Sequence, residues 1–521
     1  MLLGIFIICE LIVFPVGEFP LNDGCTYARS VLILVQEGRL YTEDWQATVV
    51  TNIIWGALFV KIMGWSFFAL RLSTIVMAAG GILFMYALAL RLSSHRLSAL
   101  CAAFTLMFNP YFFHLGNVFM TDAAFTTLML ACCYFAIRYI ETDKILWGGL
   151  LLISSIALIL LRQYGLIVPF AFLGFCVLQK TSRLRNIASG LVIVTVSCLA
   201  LWLYETYITS ISGPQGNYRY VFAGAGEKTG IVTFEFNGKI RNILTQVLTY
   251  GSPGALLAIM WFAPRMHKWF VVLILVLSGV LYFSILKHTE PLPGNILADT
   301  GLGPDTFYEN INDSSSRPDH TSSPSFVKAS WSAKKILCTT SIFAVLLAAA
   351  AFLSGKREVR VSYRLLPALM MLLYCCLLVV TPGSFDRYYL PPIALVILLF
   401  IQPVKLPGLI PPAIIIAALG YVSVAGTKDY FTLNRNRWSA YNYVKDKLGA
   451  GPAEVNAGFE PKCWDSERFS WMYDANVIEG QKYLIQYTKE EGFEKIRSYP
   501  FKRYLPPKKD TVFIFRRIHE K

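Results

Sequence analysis

KILCTTSIFAVLLAAAAFLS (335–354) and YRLLPALMMLLYCCLLVVT (363–381) flank the short basic stretch GKREVRVS (355–362). Each apolar run has about the length a helix needs to cross a hydrocarbon layer roughly 30 Å thick. Each must be helical, because backbone N–H and C=O groups cannot be left unpaired in hydrocarbon. Lys356, Arg357 and Arg360 lie between the two runs and Arg364 at the start of the second, as basic residues do in and beside the cytoplasmic loops of membrane proteins.

The same pattern extends in both directions. The chain has 521 residues, of which 55% are hydrophobic and 15% charged, where a soluble domain carries about 25% charged residues. Thirteen spans are expected, at 1–16, 68–90, 98–115, 119–138, 146–162, 164–179, 187–208, 250–264, 268–287, 335–354, 363–381, 388–403 and 408–425. Residues 1–16 lack the basic n-region and small-residue cleavage site of a signal peptide, so they read as a retained first helix. With the N-terminus in the cytoplasm, the short inner loops carry fourteen Lys and Arg residues, opposed only by Glu141, Asp143 and Glu358. That bias supports this orientation, and an odd number of spans places the C-terminal tail outside. The formal net charge of +14 therefore resides largely in inner loops. No long basic stripe interleaved with aromatics is present, which argues against a nucleic-acid partner.

The expected fold class is a mainly α, polytopic membrane protein with a small extracytoplasmic α/β domain. The membrane part covers 1–427, with long outer segments at 17–67, 211–249 and 288–333; the soluble part covers 428–521. Within the first outer segment, TYARSVLILVQEG (26–38) has helical periodicity and a Gly stop. Residues 48–64 are apolar, carry Trp55, and are followed by Trp65; they read as an interfacial helix rather than a further span. In the tail, RWSAYNYVKDKLG (437–449) is an amphipathic helix, PAEVNAGF (452–459) and DTVFIFRRI (510–518) are strands, and 478–491 is a second helix. The 11 cysteines show no metal-ligand spacing. Cys25 and Cys463 fall in outer segments, and whether they pair is left open.

The candidate chemistry lies at the outer ends of spans. Asp23, in PVGEFPLNDGCTYARS (15–30), is either a turn or N-cap residue or a general base at the membrane surface. Asp122, in GNVFMTDAAFTTLML (116–130), either caps a helix with Thr121 or marks function, as carboxylates near hydrocarbon do. Arg162, in LILLRQYGLIVPF (158–170), and Arg387, in TPGSFDRYYLPP (381–392), are either snorkelling side chains or guanidinium forks for a phosphate. Lys287 and His288 add a weak basic group. GAGEKTG (224–230) has the wrong spacing for a phosphate loop and reads as a turn. No Rossmann glycine pattern or metal-binding His cluster occurs in the sequence.

Taken in order, these motifs resemble the GT-C superfamily of lipid-linked-sugar glycosyltransferases. The ordered features are Asp23 after the first span, an Ala-Leu-Arg-Leu-Ser run at 69–73, Met-Thr-Asp at 120–122, Arg162 in a double span, Arg-Tyr-Tyr-Leu-Pro at 387–391 and AGFEPKCW at 457–464. Within the superfamily the resemblance is to the bacterial branch related to protein O-mannosyltransferases and the lipid A aminoarabinose transferase. It implies a polyprenyl-phosphate sugar donor and an acceptor on the outer face of the plasma membrane. Asp23 would be the base and Asp122 its assistant, with Arg162, Arg387 and Tyr388 on the donor phosphate. No cofactor is required, and the part of a divalent metal is left open. One departure is plain: many relatives carry Asp-Glu in the first loop where this chain has Asp23-Gly24, leaving Glu18 as the substitute acid to test. Two other readings remain: a transporter or flippase of lipid-linked saccharides, and a non-catalytic relative that organises envelope assembly.

Overall fold

The computed structural model describes residues 1–42, 48–179, 184–212, 229–286, 324–353, 361–381, 385–465, 481–487 and 490–518. In chain order the helices are α1 (Leu2–Val13), α2 (Gly24–Glu37), α3 (Val50–Met63), α4 (Phe67–Ser93), α5 (Arg96–Met107), α6 (Pro110–Gly116), α7 (Thr121–Thr142), α8 (Ile145–Ile159), α9 (Ile167–Leu178) and α10 (Leu184–Ser212). They continue with α11 (Thr229–Phe262), α12 (Lys268–Leu281), α13 (Pro324–Leu353), α14 (Val361–Val380), α15 (Leu390–Phe400), α16 (Ile410–Leu448) and α17 (Phe459–Asp465). The strands are β1 (Val455–Asn456), β2 (Tyr483–Gln486), β3 (Phe493–Tyr504) and β4 (Pro507–Arg517).

The chain has the expected polytopic, mainly α membrane fold, and each of the thirteen anticipated spans falls on a helix. Among the described residues, seven helices are long and apolar enough to cross a membrane. The α5–α6 pair, bent by 64°, makes an eighth if taken as one span. The bend has a local cause. Pro110 has no N–H to continue α5, and the Asn109 side chain accepts from the N–H groups of Tyr111 and Phe112 to start α6 afresh. The outer surface is apolar where lipid would lie: α12 exposes Leu273, Val276 and Val280, and Trp269 is 78% exposed. In water such a surface would aggregate.

Helix α3 forms over the segment expected at the interface. It has 14 residues, about 21 Å at 1.5 Å per residue, and belongs with α1 and α8 among the shorter apolar helices. Its start is tied to the end of α8, since Thr48 Oγ1 donates to the Ile159 carbonyl and Thr51 Oγ1 to the Ala157 carbonyl. Helix α2 also matches its sequence, ending at Gly38 with a left-handed φ of 69° that glycine adopts without strain.

Several expectations are corrected. The outer segment 211–249 is not all loop: α11 begins at Thr229, so the expected span 250–264 is the second half of a longer helix. Its interior Pro253 and Gly-rich, aromatic start disguised the periodicity. The expected loop 288–333 ends earlier, because α13 starts at Pro324; residues 288–323 lie outside the described residues, as do Lys287 and 224–228 of GAGEKTG. In the tail, the expected helix at 478–491 is instead strand β2, with 478–480 and 488–489 outside the described residues. Tyr483–Gln486 is β-branched and aromatic, and pairs with β4 on one edge and β1 on the other. The expected strand 452–459 is reduced to Val455–Asn456, because Pro452 opens a 3-10 turn and Phe459 starts α17.

The tail sheet has the order β1-β2-β4-β3, with β1 and β2 parallel and the β3–β4 hairpin antiparallel. It does not hang free. Helix α16 runs unbroken from the membrane region past residue 428, and Trp438, Tyr441 and Val444 on it are buried with Ile485, Val512 and Ile514 of the sheet in one core. The Asp429 carboxylate accepts from the N–H groups of Tyr504 and Leu505 at the hairpin's end.

Arg71 fixes the strap between α1 and α2. It is 2% exposed, donates to the carbonyls of Pro15, Gly17 and Phe19, and lies over the rings of Phe19 and Phe431. Replacing it leaves buried carbonyls without a donor at about 1–3 kcal/mol each. Arg71→Ala is therefore expected to lower stability in detergent by about 3 kcal/mol or more, read by thermal unfolding. An unchanged melting temperature would show that the strap is held by something else.

Candidate functional site

All five side chains singled out from sequence meet at one end of the helix bundle. Asn22 precedes Asp23 in a left-handed conformation, φ 49°, which Asn tolerates better than most residues. Asp23 stands at the N-cap position of α2, yet its side chain makes no capping bond. It points to Arg387, with Oδ2 2.9 Å from Nη2. Asp122 lies in the first turn of α7 and likewise turns away from capping: its Oδ1 is 2.8 Å from Arg162 Nη2. Both pairs are close charge contacts rather than aligned hydrogen bonds. The aligned bond runs from Arg162 Nε to Thr121 Oγ1, 2.7 Å. The snorkelling alternative fails for both arginines, which are only 8% and 7% exposed.

Tyr388 joins the two pairs. Its ring centre lies 5.4 Å from the Arg162 guanidinium carbon and 5.7 Å from that of Arg387, so both cations share one aromatic neighbour. Arg387 also lies 5.0 Å from the Phe385 ring. Tyr27, one helical turn beyond Asp23, is buried within the electrostatic reach of all four charges. Burial pushes its phenol well above the ordinary range; Asp23 adds to the rise, while Arg162 and Arg387 oppose it. Tyr27 therefore stays protonated. Burial alone would weaken the charge on Arg387, but Asp23 and then Asp122 outweigh it and hold the guanidinium more firmly protonated than usual.

Two cations and two carboxylates can be buried together because each has a partner; removing one leaves an uncompensated charge. The cluster nevertheless has spare capacity. Arg387 Nε has no acceptor among the described residues. A buried donor in that state costs about 1–3 kcal/mol, and a phosphate oxygen would satisfy it with a charge-assisted bond.

Sequence reasoning missed three contributors. Tyr27 could have been found from its spacing, four residues after Asp23 on one helix face. Tyr164 stands edge-on to Tyr388, ring centres 6.4 Å apart, and donates to Thr381 Oγ1 at 3.1 Å. The Thr381 carbonyl accepts from Lys239 Nζ at 2.6 Å, which brings a further ammonium to the rim. Lys239 stands in a stretch expected to be loop, so nothing in the sequence pointed to it.

A Cβ at Gly24 would lie 3.2 Å from the Phe119 carbonyl oxygen, so a side chain there needs the Phe119 backbone to give by a few tenths of an ångström. Glu18 is exposed, and its Oε2 accepts from the Phe67 N–H, 2.9 Å, at the start of α4. Among the described residues no group of three or more His, Cys, Asp or Glu side chains could hold a metal ion.

Comparison with known proteins agrees with the resemblance read from the motifs. The family model for dolichyl-phosphate-mannose-protein mannosyltransferase matches residues 49–207. That stretch contains Asp122 and Arg162 and excludes Asp23 and Arg387. Two solved structures are similar over nearly the whole chain. One is ArnT from Cupriavidus metallidurans bound to undecaprenyl phosphate, at 11% identity, covering 99% of this chain and 97% of that one, with a TM-score of 0.47. The other is the same protein in the apo state, at 12% identity, 98% and 97% coverage, and a TM-score of 0.46. No curated protein matches the chain in sequence.

The tight contact at Gly24 gives a direct check. Gly24→Ala forces a methyl against the Phe119 backbone and is expected to lower stability by about 1–3 kcal/mol, measured by thermal unfolding in detergent. A variant as stable as the parent would show that α2 does not press on Phe119.

Proposed function

We propose that this chain is a glycosyltransferase that moves a sugar from a polyprenyl-phosphate donor to an acceptor on the extracytoplasmic face of the plasma membrane. The observation that carries the reading is the convergence of Asp23–Arg387 and Asp122–Arg162 around Tyr27 and Tyr388. The match to a family of lipid-phosphate-sugar transferases over 49–207 supports it. The N-terminus is cytoplasmic and the tail extracytoplasmic, as the loop charges favour. The Cys25–Cys463 bridge agrees, since such bonds persist in oxidising compartments.

The residues suggest a division of labour. The donor's phosphate sits between Arg162 and Arg387, beside Tyr388, with its tail in the bilayer. The incoming phosphate competes with Asp23 for Arg387 and so frees the carboxylate. The acceptor hydroxyl oxygen then attacks the anomeric carbon and passes its proton to Asp23. The bond between that carbon and the phosphate oxygen breaks, and its electron pair stays on the phosphate, where the two guanidiniums neutralise the growing charge. A single displacement inverts the anomeric configuration. Asp122 keeps Arg162 oriented. No cofactor enters this scheme, and a divalent cation has no assigned role in it. The sugar and the acceptor, whether lipid, glycan or protein, are set by outer segments that carry no recognisable motif. The transporter reading draws on no comparable observation, because the charges gather at helix ends rather than at the middle of the spans.

Purified protein is to be incubated with sugar-labelled polyprenyl-phosphate donors extracted from membranes, together with envelope extract. Release of free polyprenyl phosphate is expected, and Asp23→Asn should reduce its rate by roughly 10²–10⁴-fold. An unchanged rate in the variant would remove Asp23 from the chemistry. No release by folded wild type from any donor would favour transport instead.

A further inference from the structure

The short tail helix α17 reaches back to the first outer segment and grips it on both sides of Asp23. Glu460, buried at 5% exposure, accepts through Oε1 from the Asn22 N–H at 3.3 Å. Its Oε2 lies 2.6 Å from Arg437 Nη2 on α16, and the same guanidinium donates to Asn434 Oδ1. Cys463 is bridged to Cys25. One turn further along α2, Arg29 Nη2 donates to the carbonyls of Cys463 and Trp464, 2.9 and 3.1 Å. Trp464 packs edge-on against Phe67, ring centres 4.8 Å apart, at the start of α4.

We propose that α17 is a clasp that positions Asp23, with Glu460 as the positioning residue and the Cys25–Cys463 bridge as its tether. The inference rests on the transferase reading above. The physical reason lies in Asn22. It holds a left-handed conformation immediately before Asp23, a state that costs energy in a non-glycine residue and persists only when its surroundings over-determine it. Glu460 supplies part of that constraint by taking the Asn22 N–H, beside the Tyr430 hydroxyl, which donates to Asn22 Oδ1. If Asn22 relaxes, the Asp23 carboxylate swings relative to Arg387 and to the reacting hydroxyl. A misplacement of about 1 Å at such a group can cost on the order of 100-fold in rate. The tail is thus part of the site although none of its described residues places a side chain among the reacting atoms.

The test uses the full-length protein and the donor release assay, with kcat, donor KM and melting temperature measured together. Glu460→Gln keeps an oxygen that can accept from Asn22 but loses the charge facing Arg437. Glu460→Ala loses both. Both variants are expected to melt earlier than wild type, because Arg437 is left without its carboxylate. Only Glu460→Ala is expected to lose kcat, by about tenfold or more, with donor KM within about twofold of wild type. The doubly substituted Cys25→Ser, Cys463→Ser protein should show the same split, a lower kcat at unchanged KM. A kcat that follows melting temperature alike in the Gln and Ala variants would reduce the clasp to a stabilising contact and overturn the proposal. So would wild-type kcat in all three variants. A wild type that releases no polyprenyl phosphate would instead sink the transferase reading, and this inference with it.

Discussion

A charge taken out of water must be paid back locally, and at the rim of this bundle four charges repay one another. Asp23 with Arg387 and Asp122 with Arg162 are all largely buried, and all four bear on Tyr27. Removing any one would strand its partner at a cost of about 3–5 kcal/mol. Several features of the fold hold these side chains together. The strap that leads from α1 into α2 is pinned by Arg71, α2 packs against the Phe119 backbone at Gly24, and Arg162 begins the 3-10 turn that separates α8 from α9. The 3-10 turn Asp386–Tyr389 presents Arg387 and Tyr388 to the same cluster.

The same pairing shapes what the site can do. Each guanidinium already holds a carboxylate, so in the proposed scheme an anionic donor would enter by exchange with Asp23 on Arg387 and by filling the open Nε of that residue. An exchange of this kind couples donor binding to release of the base, which would keep Asp23 occupied until a phosphate arrives.

Much of this was legible in the sequence because lipid imposes a strict syntax. Spans such as 335–354 and 363–381 must be long, apolar and helical, and charges that interrupt that pattern stand out, as Asp122 and Arg162 do. Their short-range alternatives, capping and snorkelling, were decided only by where the side chains point, which no linear pattern encodes. The sequence failed where local and tertiary preferences part. The local pattern around Tyr483–Gln486 favours helix, yet the segment gains more by pairing between β1 and β4. Lys239 was hidden because the start of α11 is rich in Gly and aromatics. Glu460 and Cys463 lie more than 400 residues from the turn they hold, and only folding places them beside Asn22 and Cys25.

The exchange of a carboxylate for a phosphate on Arg387 is the central claim, and direct binding of polyprenyl phosphate tests it. Affinity would be measured in detergent for wild type, Asp23→Asn and Arg387→Gln, without acceptor, so that turnover plays no part. If the account is right, Asp23→Asn binds polyprenyl phosphate more tightly than wild type, because Arg387 has lost its competitor, and Arg387→Gln binds more weakly. An Asp23→Asn protein that folds normally yet binds no better than wild type, or binds worse, would contradict it.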